Sequence, residues 1–127
     1  MTNDWVELTK SVTASLRELR GGAPEVMRAF GGIASAALQA NALDAKTKEL
    51  IALAIGVAVR CDDCIAFHVK AAVDQGASSA EIVETLGMAI YMGAGPSVMY
   101  AAHAMDAYKQ FEEIKSQKEA AQAKAEE

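Results

Sequence analysis

The stretch that decides the fold is residues 44–76, DAKTKELIALAIGVAVRCDDCIAFHVKAAVDQG. Asp44 is a favourable N-cap, and the apolar run 50–59 that follows it predicts a helix that other helices surround, because the run is apolar on every side. Residues 61–75 predict the next helix, which ends at Gly76. The connection between the two helices is short, so they should lie side by side.

Helical patterns continue on both sides of this stretch. Apolar residues recur at steps of three and four, and β-branched residues are scattered, so nothing predicts a strand. Ser78 and Glu81 form a capping box, and the GAGP sequence at residues 93–96 predicts a turn. The predicted fold is all-α, a bundle of about six helices. We place them at residues 5–20, 24–40, 44–59, 61–75, 78–92 and 96–108, with a bend in the second at Gly31–Gly32.

Length and composition indicate a single domain over residues 1–127. The chain has 127 residues and a mass of 13.4 kDa, which suits one domain. Residues 109–127 are rich in Lys, Glu, Gln and Ala and predict a charged, solvated helical tail. The apolar fraction of 52% excludes a disordered chain, and a net charge of -5 without a basic patch argues against nucleic-acid binding.

The apolar content also bears on location and assembly. No signal peptide is visible at residues 1–10, and the apolar stretch 86–102 is too short and too interrupted by glycine and proline to span a membrane. We therefore expect a cytoplasmic protein without membrane contact. A chain this small cannot hide so much apolar surface alone, which predicts an obligate oligomer.

Residues 49–68 gather the side chains that carry chemistry. Cys61 and Cys64 are three residues apart and His68 is four beyond the second cysteine, so all three share one helix face. Glu49 lies on the preceding helix, which should fold back alongside. A carboxylate, an imidazole and two thiols supply a nucleophile, a base, a relay group and a resolving thiol, as thiolate chemistry requires.

Other interpretations of these residues stay open. The two cysteines with His68 and Glu49 could instead hold zinc, although structural zinc usually anchors loops. The cysteine pair could also be a redox sensor that changes assembly without turnover. Asp62 and Asp63 fit the start of a helix, where acids are favourable, and His103 is expected to be an ordinary core histidine.

Residues 43–78, together with MGAGPSVMYA at 92–101, resemble the AhpD-like branch of the carboxymuconolactone decarboxylase family. The specific part is a glutamate twelve residues before a CxxC and a histidine four residues after it. The resemblance covers about residues 25–108, which we take as the core of the domain. It implies an all-helical fold that assembles as homotrimers or homohexamers.

The resemblance also implies an activity and a role for each site residue. Members of this branch are thiol-dependent peroxidases or protein disulfide reductases. In this chain the resemblance assigns the attack on the hydroperoxide to Cys64 and the resolving step to Cys61. It assigns the proton relay to Glu49 and His68. No metal or other cofactor is implied. The redox-active disulfide Cys61–Cys64 would be reduced by an external dithiol donor, a lipoyl-bearing protein, with a peroxiredoxin as a downstream electron acceptor.

One position departs from the pattern of this branch. Its best-known members have a histidine immediately before the second cysteine, where this chain has Asp63. The negative charges of Asp62 and Asp63 should raise the pKa of the neighbouring thiols and weaken peroxidase activity. The decarboxylase branch lacks the CxxC, so the presence of this motif argues against lactone decarboxylation.

Overall fold

The structure, a computed structural model, describes residues 3–126. Over this range it contains five helices and no strand, which confirms the all-α prediction. The predicted fifth and sixth helices form one element that is broken in the middle. None of the helices between residues 3 and 126 offers an apolar stretch long enough to cross a membrane. The helices are α1 (Trp5–Gly22), α2 (Pro24–Leu38), α3 (Ala45–Ala58), α4 (Asp62–Asp74) and α5 (Ser79–Ala125).

Helices α3, α4 and α5 pack on one another and form the core. Each contributes fully buried apolar side chains. Burial of one such side chain stabilises a fold by about 1.5–3 kcal/mol. Several positions where helices meet are alanine or glycine, which permits close approach. The largest fully buried apolar side chains are Trp5, Leu53, Val57, Ile65, Val69, Val73 and Ile82.

The break in α5 lies at Ala94, whose φ of 58° and ψ of -145° are not helical. Positive φ is costly for alanine because its Cβ approaches the backbone. Gly93 packs closely against Ser97, since a Cβ there would overlap the Ser97 hydroxyl and lie 3.0 Å from the Ser97 Cβ. The predicted turn is therefore a kink, which lets both halves of α5 bury one face in the core.

Side-chain caps fix the starts of α3 and α5, as the sequence predicts. The Asp44 carboxylate accepts a hydrogen bond from the Thr47 N–H at 2.7 Å. Ser78 and Glu81 exchange the two hydrogen bonds of a capping box, at 2.9 and 3.1 Å. Lys46 lies 2.8 Å from the Glu81 carboxylate, which lowers the pKa of Glu81 and links α3 to α5.

Trp5 fixes α1 against α5. Its side chain is fully buried, and its indole N–H donates to the Asp106 carboxylate at 2.9 Å. Its backbone N–H donates to the side-chain oxygen of Gln110 at 2.8 Å. A buried tryptophan usually finds a partner for its indole N–H, and here the partner also ties the start of α1 to α5.

Two expectations from the sequence are wrong. Helix α2 continues through Gly31–Gly32 without a bend, because both glycines lie in open space and no contact forces a kink. The C-terminal segment is not wholly solvated. Phe111 is buried, since it continues the apolar stripe of α5, and Lys115 donates to the Val73 carbonyl at 2.9 Å. The first turns of the tail are therefore part of the packed domain.

Candidate active site

A tight chain reversal places the first cysteine at the start of α4. Arg60 takes a left-handed φ of 62° just after α3. Its N–H donates to the Val57 carbonyl at 3.2 Å, and the Cys61 N–H donates to the Gly56 carbonyl at 2.9 Å. This pair of bonds is a Schellman motif, whose left-handed position is usually glycine. The motif turns the chain so that α4 packs against α3.

The two cysteines form a disulfide at the N-terminus of α4. Cys61 is the N-cap residue, and its sulfur accepts a hydrogen bond from the Cys64 N–H at 3.1 Å. The two Cα atoms are 5.2 Å apart, within the usual range for a disulfide. Both residues are partly exposed. A helix N-terminus carries a positive partial charge, so this position favours a thiolate once the disulfide is reduced.

Glu49 and His68 form an acid–imidazole pair beside the disulfide. His68 Nδ1 lies 2.7 Å from Glu49 Oε2, and the Glu49 side chain is only 12% exposed. An ionised carboxylate can only accept, so Nδ1 carries the hydrogen and donates it. The Nε2 atom of His68 is then the nitrogen that can take up a proton.

The interface between α3 and α4 brings the two pairs together. His68 follows Cys64 by one helical turn, and Glu49 reaches His68 from α3. Gly56 of α3 faces the second cysteine, because a Cβ at this glycine would lie 3.2 Å from the Cys64 Cβ. Within residues 3–126 the hydrogen bonds join Glu49 to His68 and Cys64 to Cys61, and none crosses between the pairs.

A second acid–imidazole pair flanks the cysteines, and the sequence analysis did not identify it. His103 Nδ1 lies 2.8 Å from the carboxylate of Asp62, which directly follows Cys61. His103 is a hydrogen-bonded and partly buried histidine, as expected, but its ring is 27% exposed and its partner is a carboxylate that the sequence did not indicate. The pair forms because α5 packs on α4, and its two members are 41 residues apart in the sequence. No local spacing could therefore have indicated it.

The acids at the start of α4 lie where the sequence places them. Asp62 and Asp63 occupy the first turn of the helix, although the cap itself is Cys61. Both line an open depression together with Asp4 of the α1 N-cap. Over the described range, 3–126, no group of three or more His, Cys, Asp and Glu side chains is close enough to hold a metal ion. The disulfide occupies both sulfur atoms that the zinc interpretation requires.

Comparison with known proteins agrees with this architecture. The sequence profile of the Carboxymuconolactone decarboxylase family matches residues 24–107. A crystal structure of a carboxymuconolactone decarboxylase family protein from Legionella pneumophila has 48% identity and a TM-score of 0.83, and the alignment covers 85% of this chain and 96% of that one. A crystal structure from Thermotoga maritima has 31% identity and a TM-score of 0.72, with 80% and 95% covered. An uncharacterized protein of Haemophilus influenzae is 44% identical over 108 residues, which are 85% of this chain and 96% of the relative. This chain therefore belongs to the carboxymuconolactone decarboxylase family.

Proposed function

We propose that the protein is a thiol-dependent peroxidase of the AhpD-like type, which reduces hydroperoxides with electrons from an external dithiol. The observation that carries the proposal is the disulfide at the start of α4, with His68 one turn further along the same helix and paired there with Glu49 of α3. A reactive thiol needs a base to remove its proton and an electropositive position to stabilise the thiolate. The start of α4 provides the electropositive position, and we assign the base to His68.

The first step is the attack of the Cys64 thiolate on the hydroperoxide. A sulfur–oxygen bond forms, the oxygen–oxygen bond breaks, and Cys64 becomes a sulfenic acid. The alkoxide that leaves takes up a proton and becomes the alcohol. His68 supplies that proton, having accepted it from the Cys64 thiol, and Glu49 stabilises the imidazolium in between.

The second step returns the site to the disulfide seen in the structure. The Cys61 sulfur attacks the sulfenic sulfur of Cys64, a disulfide forms and water leaves. An external dithiol then reduces this disulfide to two thiols and is itself oxidised to a disulfide. The sum is one hydroperoxide and one dithiol giving one alcohol, one water and one disulfide.

The proximity of His68 is the basis for assigning the attack to Cys64. The N-cap position argues the other way, because Cys61 lies closer to the helix terminus and its sulfur accepts the Cys64 N–H. A stabilised Cys61 thiolate suits a resolving nucleophile, whereas peroxide attack also needs a proton for the leaving alkoxide. His68, one turn from Cys64, can deliver that proton.

The electron donor belongs to the same proposal. A lipoyl-bearing protein carries a dithiol of the required kind, and a peroxiredoxin is the proposed acceptor when the site acts as a disulfide reductase. Continuous turnover needs a compartment that keeps dithiols reduced, which favours the cytoplasm. An antioxidative response has also been suggested for the Thermotoga maritima relative.

The test is the stoichiometry of peroxide consumption. Purified protein is mixed with excess cumene hydroperoxide and either dihydrolipoamide or dithiothreitol. We expect many turnovers per chain, with one alcohol formed for each dithiol oxidised. Protein whose thiols have been alkylated after reduction is the control and should be inactive. Consumption of a single equivalent per chain, with a change in oligomer size on oxidation, would instead support a redox sensor.

Apolar side chains that no helix covers support self-association. On α2 the residues Val26, Phe30 and Ile33 are 63–68% exposed and lie on one face. On α3 the side of the helix away from the core exposes Ile51 and Ile55. A second copy of the chain presents the same apolar surface and can cover it, which explains why the predicted central helix has an open side.

We accordingly expect a homotrimer or homohexamer of the 13.4 kDa chain in solution. Sedimentation velocity at micromolar concentration measures the mass. Phe30→Asp should shift the protein towards smaller species, since it places a charge in the apolar face. Arg28, an exposed residue two positions before Phe30, gives a matched variant, Arg28→Ala, which should leave the mass unchanged. A wild-type protein that sediments as a monomer would contradict the proposal.

A further inference from the structure

The first turn of α4 carries a charged group directly beside the redox disulfide. Asp62 follows Cys61, and its carboxylate is held 2.8 Å from His103 Nδ1. The sulfur of Cys61 is the cap of the same helix turn. Neither Asp62 nor His103 takes part in the proposed peroxide chemistry. The pair is therefore available for another role at the site.

Aromatic packing holds the imidazole of His103 in place. The centre of its ring lies 5.8 Å from that of Trp5 and 5.0 Å from that of Tyr100, with tilted planes in both cases. Trp5 is itself fixed by its hydrogen bond to Asp106. The ring of His103 thus has a defined position, and its bond to Asp62 defines the position of the carboxylate.

Two of the carboxylates near the cysteines are paired with an imidazole. The carboxylate of Glu49 faces the imidazole of His68, and that of Asp62 faces the imidazole of His103. An imidazole donates a hydrogen bond to its carboxylate in either state and offsets the full charge when protonated. Further charged groups near the first turn of α4 include Arg60 in the preceding turn, Asp63, and Asp4 across the depression.

We propose that His103 is a positioning residue of the redox site: it binds and offsets the Asp62 carboxylate so that the Cys61 sulfur can carry negative charge. Without His103, a free carboxylate would lie one residue from the sulfur and disfavour the thiolate. The thiolate of Cys61 is the species that attacks the sulfenic acid. The inference therefore deepens the proposed function and rests on it for its role in turnover.

The test measures thiol protonation in the reduced protein. The rate of alkylation as a function of pH gives the pKa of the more acidic thiol in wild type, His103→Gln and Asp62→Asn. We expect His103→Gln to raise this pKa by about 0.5–1 unit, a modest shift because the pair is partly exposed to solvent. Asp62→Asn should leave it unchanged or lower it.

The double variant His103→Gln/Asp62→Asn separates positioning from a merely structural effect. If His103 acts through Asp62, the double variant should have the thiol pKa of Asp62→Asn alone. Asp74→Asn is the matched control, because it removes the charge of an aspartate at the other end of α4, where the carboxylate pairs with Lys70 and not with His103. Thermal unfolding of each variant shows whether it is folded, and Asp62→Ser replaces Asp62→Asn if the latter is not.

Two results would overturn the inference. One is an unchanged thiol pKa in folded His103→Gln. The other is a shift of the same size in the Asp62→Asn background, which would show that the carboxylate is not the intermediary. Both measurements use no hydroperoxide, so they stand even if the protein proves to have no peroxidase activity. Conversely, normal peroxidase turnover with no pKa shift would refute this inference and leave the proposed function intact.

Discussion

Replacing Cys64 by serine should lower peroxide consumption by at least about a thousandfold, because it removes the nucleophile that attacks the hydroperoxide. Replacing Cys61 by serine should also lower turnover, but for a different reason. The Cys64 thiolate would still react once and would then be a sulfenic acid with no resolving thiol in its own chain, so further turnover would depend on direct attack by the external dithiol. The two variants therefore differ most clearly in their first turnover.

Reaction of each reduced variant with one equivalent of hydroperoxide measures that first turnover. Mass spectrometry after trapping should find one added oxygen on Cys64 in the Cys61→Ser protein and almost none in the Cys64→Ser protein. The opposite distribution would show that Cys61 attacks the peroxide. That result is a real alternative, since Cys61 is the N-cap and its sulfur accepts the Cys64 N–H. Proximity to His68 would then not decide which thiol reacts.

The parts of this fold that follow from sequence are those with a local cause. The caps at Asp44 and Ser78 require only a side chain and the N–H three residues later, so the pattern predicts them directly. The approach of Glu49 to His68 also has a largely local cause. It requires two neighbouring helices and a short reversal, and the sequence indicates both.

The features that the sequence analysis did not find depend on contacts between distant segments. The pairing of Asp62 with His103 exists because α5 returns across the start of α4. Phe111 is buried for a similar reason, although its neighbours are charged and predict a solvated tail. Gly31–Gly32 shows the converse case. A glycine pair permits a bend, but the helix bends only where packing contacts favour the bent form. Local patterns predict what a segment can form, and packing decides which of those possibilities is used.

Glu49→Gln is expected to lower the second-order rate constant for peroxide reduction by about 10- to 100-fold. Glutamine keeps an oxygen that can accept from His68 Nδ1 but carries no charge. The imidazolium that forms when His68 takes the thiol proton is then less stable, so the proton transfer is less favourable. The effect should be large for one side chain because Glu49 is only 12% exposed, and water can screen its charge little.

Stopped-flow measurement of the first turnover gives this rate without interference from the dithiol step. Glu84→Gln, which changes an exposed carboxylate on α5 in the same way, is the matched control and should react like the wild type. His68→Gln should be at least as slow as Glu49→Gln. The double variant should be no slower than His68→Gln alone, because Glu49 acts only through the imidazole. A further loss in the double variant would show that the carboxylate reaches the thiols by a route of its own. Glu49 would then be a second base for the cysteines, and the reduced thiols would have two independent proton acceptors.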